Sequence, residues 1–251
     1  MGVLKAGGIA DIATHDAFCS KLDCVISNVY DQSPNKNHLG ARHKVVNASE
    51  HKVTIGGTPV YGMWFDPGYG YHVDNTTGIA TGNEEESIYA VMSGTHINGG
   101  CCFDYGNSET DDHDDGCGTM EAIYFGNAHW HGNTGLVTDP ENEGPWAGAD
   151  LEQGMYYGGG EKTQVNNGSK PLPHEFVSLY LRGSTNGFTL KGGDATVGTL
   201  DTQYDGPRPD AKIAGTCGKT GKYQPMRKMG AIILATGGDN SNSAMGKFCT
   251  S

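Results

Sequence analysis

Two carboxylates spaced to work together stand in "GPWAGADLEQGMYYGGG" (144–160), where Asp150 and Glu152 are separated by one apolar residue. Successive side chains of an extended strand point to opposite faces, so both acids would project from one face while Leu151 turns into a core. With Trp146 and Tyr156 nearby they would form a polar floor with aromatic walls; an exposed strand face is the simpler alternative. Hydrolysis of a glycosidic bond needs a further carboxylic acid opposite the first. Asp239 is a candidate, because "AIILATGGDNSN" (231–242) reads as an apolar strand that hands an acid and two amides to a loop. Loops on a rigid sheet commonly carry catalytic groups, although the same string also suits an Asp-Asn turn.

Cysteine chemistry offers a second constellation. Cys101 and Cys102 are adjacent in "GGCCFDYGN" (99–107), and a bridge between neighbours closes almost no loop, so it would add little stability by chain entropy. Two reduced thiols on opposite strand faces are one reading. The other is a vicinal disulfide, a rigid apolar knob suited to a sugar face, with Gly99 and Gly100 supplying backbone freedom. Cys19 and Cys24 in "CSKLDC" are spaced for a small-loop bridge. No CxxC pair or Cys/His comb supports zinc, and no metal or cofactor is expected. "DDHDD" (111–115) invites a calcium reading, but it lacks the EF-hand pattern and reads better as a solvated acidic loop.

These residues need a scaffold. The 251 residues contain 40 glycines, about twice the ~7% average, without a collagen period. Short strands with many tight turns fit this composition. Runs of strand-forming residues recur at 24–30, 58–65, 87–94, 120–126, 175–183, 187–193 and 230–238. In "FVSLYLR", Phe176, Ser178, Tyr180 and Arg182 fall on one face, and Val177, Leu179 and Leu181 on the other. Such half-buried strands predict a β-sandwich. Helix-like spacing occurs only in "IADIATHDAFCSKLDC" (9–24), and no linker or repeat divides the chain. A single domain over 1–251 is expected.

Seventeen basic against 29 acidic residues give a net charge of -12, which argues against nucleic acid and anionic membrane surfaces as partners. No apolar run approaches a membrane span. Seven cysteines and three N-x-S/T sequons, at Asn47, Asn75 and Asn167, lean toward a secreted protein, although no signal-peptide h-region is present.

The stretches "YDQSPNKNHL" (30–39), "GTHINGGCCFDYGNSET" (94–110), "MEAIYFGN" (120–127), "GPWAGADLEQ" (144–153), "YDGPRPD" (204–210) and "GAIILATGGDNSN" (230–242) together resemble the catalytic domain of glycoside hydrolase family 54, the α-L-arabinofuranosidase B family. The resemblance implies an all-β, concanavalin-like or jelly-roll sandwich with short loops and little helix. It implies a retaining, exo-acting enzyme that releases terminal arabinofuranose from arabinoxylan or arabinan, with no cofactor. By the same resemblance Glu152 is the nucleophile and Asp239 the general acid/base, their carboxyls about 5–5.5 Å apart. Asp150 and Gln153 would bond sugar hydroxyls, Gly238 would lend backbone beside the acid, and Trp130 would be the aromatic wall. Cys101 and Cys102 would form the vicinal disulfide at the floor of the sugar site.

The sequence departs from the family in having Gln153-Gly154 where an asparagine pair is usual, and in the insertion 131–143. It also reads as truncated at both ends, without the family's arabinose-binding β-trefoil. A secreted monomer is expected. Two other readings compete: a carbohydrate-binding sandwich or inactive fragment without catalysis, and a calcium-dependent lectin built on 111–115.

Overall fold

The computed structural model describes residues 11–82, 84–97, 103–110, 120–130, 136–138, 144–151, 155–156, 170–185, 187–207, 229–236 and 246–249. The first element of the described residues is α1 (Ile12–Cys19), whose first turn is capped by Asp11: its carboxylate accepts from the Thr14 amide at 3.1 Å and from the Thr14 hydroxyl at 2.7 Å. Cys19 is bonded to Cys24, closing the turn after the helix.

In chain order the strands are β1 (Val25–Ile26), β2 (Asn28–Val29), β3 (Leu39–Ala41), β4 (Val46–Asn47), β5 (Lys52–Ile55), β6 (Thr58–Phe65), β7 (Tyr71–Val73), β8 (Glu86–Ser93), β9 (Asp104–Glu109) and β10 (Glu121–Gly126). There follow β11 (Ala128–Trp130), β12 (Leu136–Thr138), β13 (Trp146–Asp150), β14 (Met155–Tyr156), β15 (Phe176–Ser184), β16 (Gly187–Asp194), β17 (Asp201–Pro207), β18 (Met229–Leu234) and β19 (Gly246–Cys249). Two antiparallel sheets dominate. One runs β14-β13-β10-β9-β18-β7-β3-β2, the other β17-β16-β15-β8-β19-β6-β5. This is the β-sandwich that the strand pattern predicts, mostly antiparallel and of the jelly-roll type that the family resemblance implies.

Alternation builds the core between the sheets. The first contributes Ile123, Phe125, Ala147, Ala149, Leu234 and Tyr71; the second contributes Met63, Phe65, Ala90, Met92, Leu179, Leu181 and Leu190. Each large side chain fully buried this way contributes roughly 1.5–3 kcal/mol. The inner layer is not wholly apolar: Glu109 and Glu121 are buried, as is Asn107. Asn107 donates from Nδ2 to Glu86 of the facing sheet at 2.9 Å and to the Ala80 carbonyl at 2.8 Å, while its Oδ1 accepts from the Gly230 amide at 2.7 Å. One amide side chain thus ties β9 to β8 and β18.

Two sequence expectations need correction. Residues 24–30 do not form one strand: β1 pairs with β4 and β2 with β3, in different sheets, because the chain switches sheets at Ser27. β18 ends at Leu234, since Ala235 adopts φ 61°, a left-handed conformation that breaks the ladder; residues 237 and 238 of the expected strand lie outside the described residues.

Candidate active site

The candidate site centres on Asp150, on the outer face of the eight-stranded sheet. Along β13, Ala147, Ala149 and, just beyond it, Leu151 enter the core. Trp146, Gly148 and Asp150 therefore point the other way. Pairing extends this pattern sideways: Asp150 lies opposite Ala122, Ala122 opposite Gly106, Gly106 opposite Ile233, and Ile233 opposite His72. A row of side chains from five strands thus shares one face. Met120, Ala122 and Ile233 form a separate apolar cluster there.

Around Asp150 the neighbours are small, with Gly148, Ala122 and Gly106 keeping the floor low. A Cβ on Gly106 would come within 2.6 Å of the Ala122 backbone, so the close approach of β9 and β10 requires glycine. Aromatic bulk stands at the edges in Trp146 and Tyr124, respectively 5% and 0% exposed. Asp150 is itself only 7% exposed. A carboxylate at that depth is costly unless paired or hydrogen-bonded.

At the other end of the row, the buried His72 ring places Nε2 3.1 Å from Asp74 Oδ1, and Asp74 also pairs with Arg42. Sequence reasoning did not single out this histidine–carboxylate–arginine chain. Its signal was present as His72 and Asp74 two residues apart, the spacing that drew attention to Asp150 and Glu152. Nearby, Thr236 and His43 Nε2 lie 3.5 Å apart at the end of β18.

Of the residues singled out from sequence, Asp150 is placed as described. Trp130 ends β11, which pairs with β12 through Trp130 opposite Leu136 in a two-stranded ribbon. Cys101, Cys102, Glu152, Gln153, Gly238 and Asp239 lie outside the described residues, as do Cys117, Cys217 and the acidic run 111–115. Cys249 is a buried free thiol on β19. No group of three His, Cys, Asp or Glu side chains suited to a metal ion occurs among the described residues.

Strand ends set where the flanking segments attach. Tyr105, near the start of β9, lies opposite Leu234, the last residue of β18. The start of β9 and the end of β18 therefore lie at the same end of the sheet.

The fold and this face define an antiparallel β-sandwich with a buried carboxylate set among aromatic residues on one outer sheet surface. The chain belongs to the family described as "Alpha-L-arabinofuranosidase B, catalytic", whose model matches residues 1–251. It is 43% identical over 259 residues to alpha-L-arabinofuranosidase B of Emericella nidulans and 41% identical to that of Aspergillus niger, covering 98% of this chain and 48% of each relative. The chain thus spans about half the length of the curated relatives it matches. Among solved structures it is similar to a GH54 α-L-arabinofuranosidase in which a glutamate is replaced by glutamine, soaked with 4-nitrophenyl α-L-arabinofuranoside (TM-score 0.83, 38% identity, 98% of this chain and 50% of that one). It is likewise similar to an arabinofuranosidase complexed with arabinofuranosyl-α-1,2-xylobiose (TM-score 0.81, 37% identity, with the same coverage).

Proposed function

We propose that this chain is a secreted, retaining, exo-acting α-L-arabinofuranosidase acting on arabinoxylan or arabinan, with Glu152 as nucleophile and Asp239 as general acid/base. The observation that carries the reading is the placement of Asp150 and Leu151 within a chain matched to the arabinofuranosidase family over its whole length. Asp150 occupies the outer face of β13, and Leu151, just beyond the strand, enters the core.

In this mechanism Glu152 attacks the anomeric carbon while Asp239 protonates the departing glycosidic oxygen. Asp239 then removes a proton from the water that releases the sugar from Glu152. Asp150 and Gln153 bond the sugar hydroxyls, Gly238 offers backbone beside the acid, and Trp130 walls the ring. Cys101 and Cys102, bonded to each other, supply the apolar floor.

The test is hydrolysis of 4-nitrophenyl α-L-arabinofuranoside with the anomeric configuration of the product followed by NMR. Turnover with retention is expected, together with a rate loss of about 10²–10⁴-fold for Asp239→Ala. Normal turnover by folded Glu152→Gln, or an inverted product, would sink the assignment. Polysaccharide binding with no turnover by the folded wild type would select a non-catalytic carbohydrate-binding role instead.

A further inference from the structure

The outer face of the seven-stranded sheet, on the opposite side of the sandwich from Asp150, carries an ordered array that the proposed reaction does not use. Tyr89 on β8 lies opposite Tyr180 on β15, which lies opposite Lys191 on β16. One step along, Ser87 lies opposite Arg182, Arg182 opposite Thr189, and Thr189 opposite Asp205 on β17. Tyr89 is 76% exposed, an aromatic ring held in water on a strand that buries Ile88, Ala90 and Met92 on its other face. Beside it the surface sinks into a groove of about 290 Å³, lined by Arg182, Ser184, Thr189 and Asp205 above the buried Phe188.

The polar groups of this array hold one another in place. Arg182 donates to Glu85 at 2.8 Å, Thr189 donates to Asp205 at 2.8 Å, and the Ser87 and Tyr180 hydroxyls are 3.2 Å apart. A guanidinium carries five N–H donors in a fixed fork, more than one carboxylate oxygen takes up. Among the residues named here two cations, Arg182 and Lys191, accompany two carboxylates, Glu85 and Asp205, within a chain of net charge -12. An anionic ligand meets repulsion from the whole molecule, and a hydrophobic peptide finds too little apolar surface. The complementary ligand is a neutral polyol with apolar C–H faces for tyrosine and hydroxyls for the Arg182 row.

We propose that this face is a second, non-catalytic binding surface for a neutral polysaccharide chain, with Tyr89 and Tyr180 as the stacking platform and Arg182, Thr189 and Asp205 as hydroxyl partners. The choice of polysaccharide rests on the arabinofuranosidase reading; the surface itself does not. Its consequence is avidity: a polymer held on this face raises the local concentration of side branches at the site, whereas a small glycoside gains nothing.

The test compares wild type with Tyr89→Ala and Tyr89→Ala/Arg182→Ala in native gels containing soluble arabinoxylan, with free arabinose added at saturation to fill the catalytic pocket. Activity on 4-nitrophenyl α-L-arabinofuranoside and the thermal midpoint are measured in parallel. Wild type is expected to be retarded, and the double variant to bind the polymer at least about fivefold more weakly. Its kcat/KM on the small glycoside should stay within about twofold of wild type. Equal retardation of wild type and double variant overturns the proposal, as does no retardation of wild type. Parallel loss of small-substrate activity or thermal stability also overturns it, since that outcome marks a structural role. Tyr89-dependent retardation by a protein that hydrolyses no arabinoside would leave this surface standing and remove the catalytic assignment.

Discussion

At the residue scale, the titrating groups outside the site make two predictions. Trp64 is sandwiched between His96, with ring centroids 3.4 Å apart, and His51, at 4.4 Å, both nearly parallel to the indole. His96 Nε2 donates to the Phe65 carbonyl at 2.8 Å. Burial holds both histidines below their ordinary 6.5, with Lys247 adding to the effect. A folded-state pKa below the unfolded one means that the unfolded chain takes up protons first as pH falls. The stabilisation is complete above 6.5 and declines as pH drops from there toward the folded values. Calorimetry between about pH 7.5 and 5.5 should show the midpoint falling for wild type and falling less for His51→Gln/His96→Gln. An identical fall in both would remove this assignment.

Cys249 is the second case. Burial raises its thiol to about 11, outweighing the opposing effect of Lys247. Thiolate is the reactive form, so neutral-pH alkylation of the native protein should leave Cys249 unmodified, and alkylation after denaturation should label it. Peptide mass spectrometry reads the two states.

At the scale of elements, sequence and structure agree where a strand is long and half-buried. β6 spans the residues of "TPVYGMWF", and in β15 Val177, Leu179 and Leu181 are buried while Arg182 is exposed, as alternation requires. Polar strands were less legible. β9, "DYGNSE", and β17, "DTQYDGP", carry few apolar residues, and they are strands because neighbours on both sides or a long hairpin pair with them. Asn107 shows what such a strand contributes. Truncating Asn107→Ala removes its bonds to Glu86 on β8, to the Ala80 carbonyl and to the buried Gly230 amide on β18, a cost of about 1–3 kcal/mol. At roughly 2–4 °C per kcal/mol for a chain of this size, the midpoint should fall by several degrees. A similar clasp of tight packing occurs at Gly183, where an added Cβ would overlap the Glu121 carboxylate of the facing sheet. Gly183→Ala should destabilise by about 1–3 kcal/mol, read by denaturant titration.

At the scale of the whole molecule, the sandwich separates the two proposed surfaces. The eight-stranded sheet holds Asp150 on its outer face, and the seven-stranded sheet presents Tyr89 and Arg182 on the other. Loss of Glu152 should abolish turnover without altering polymer retention on the opposite face, because the sandwich separates the two surfaces. Measuring both properties on Glu152→Gln checks that independence.

Local rules were enough to determine the fold class, the direction of Asp150 and Leu151, the helix near Asp11 and the strands with strong alternation, because pleat and helical period act over a few residues. The resemblance to arabinofuranosidases, carried by short specific strings, supplied the candidate catalytic pair. Only the tertiary structure decided the rest. The row joining Asp150, Ala122, Ile233 and His72 depends on register between strands more than 100 residues apart in part of the sheet, as in the pairing of Gly106 with Ile233. The burial of Glu109 and Glu121 and the meeting of Tyr89, Tyr180 and Arg182 likewise depend on which strands become neighbours. That choice is set by packing two whole sheets against each other, and no local stretch encodes it.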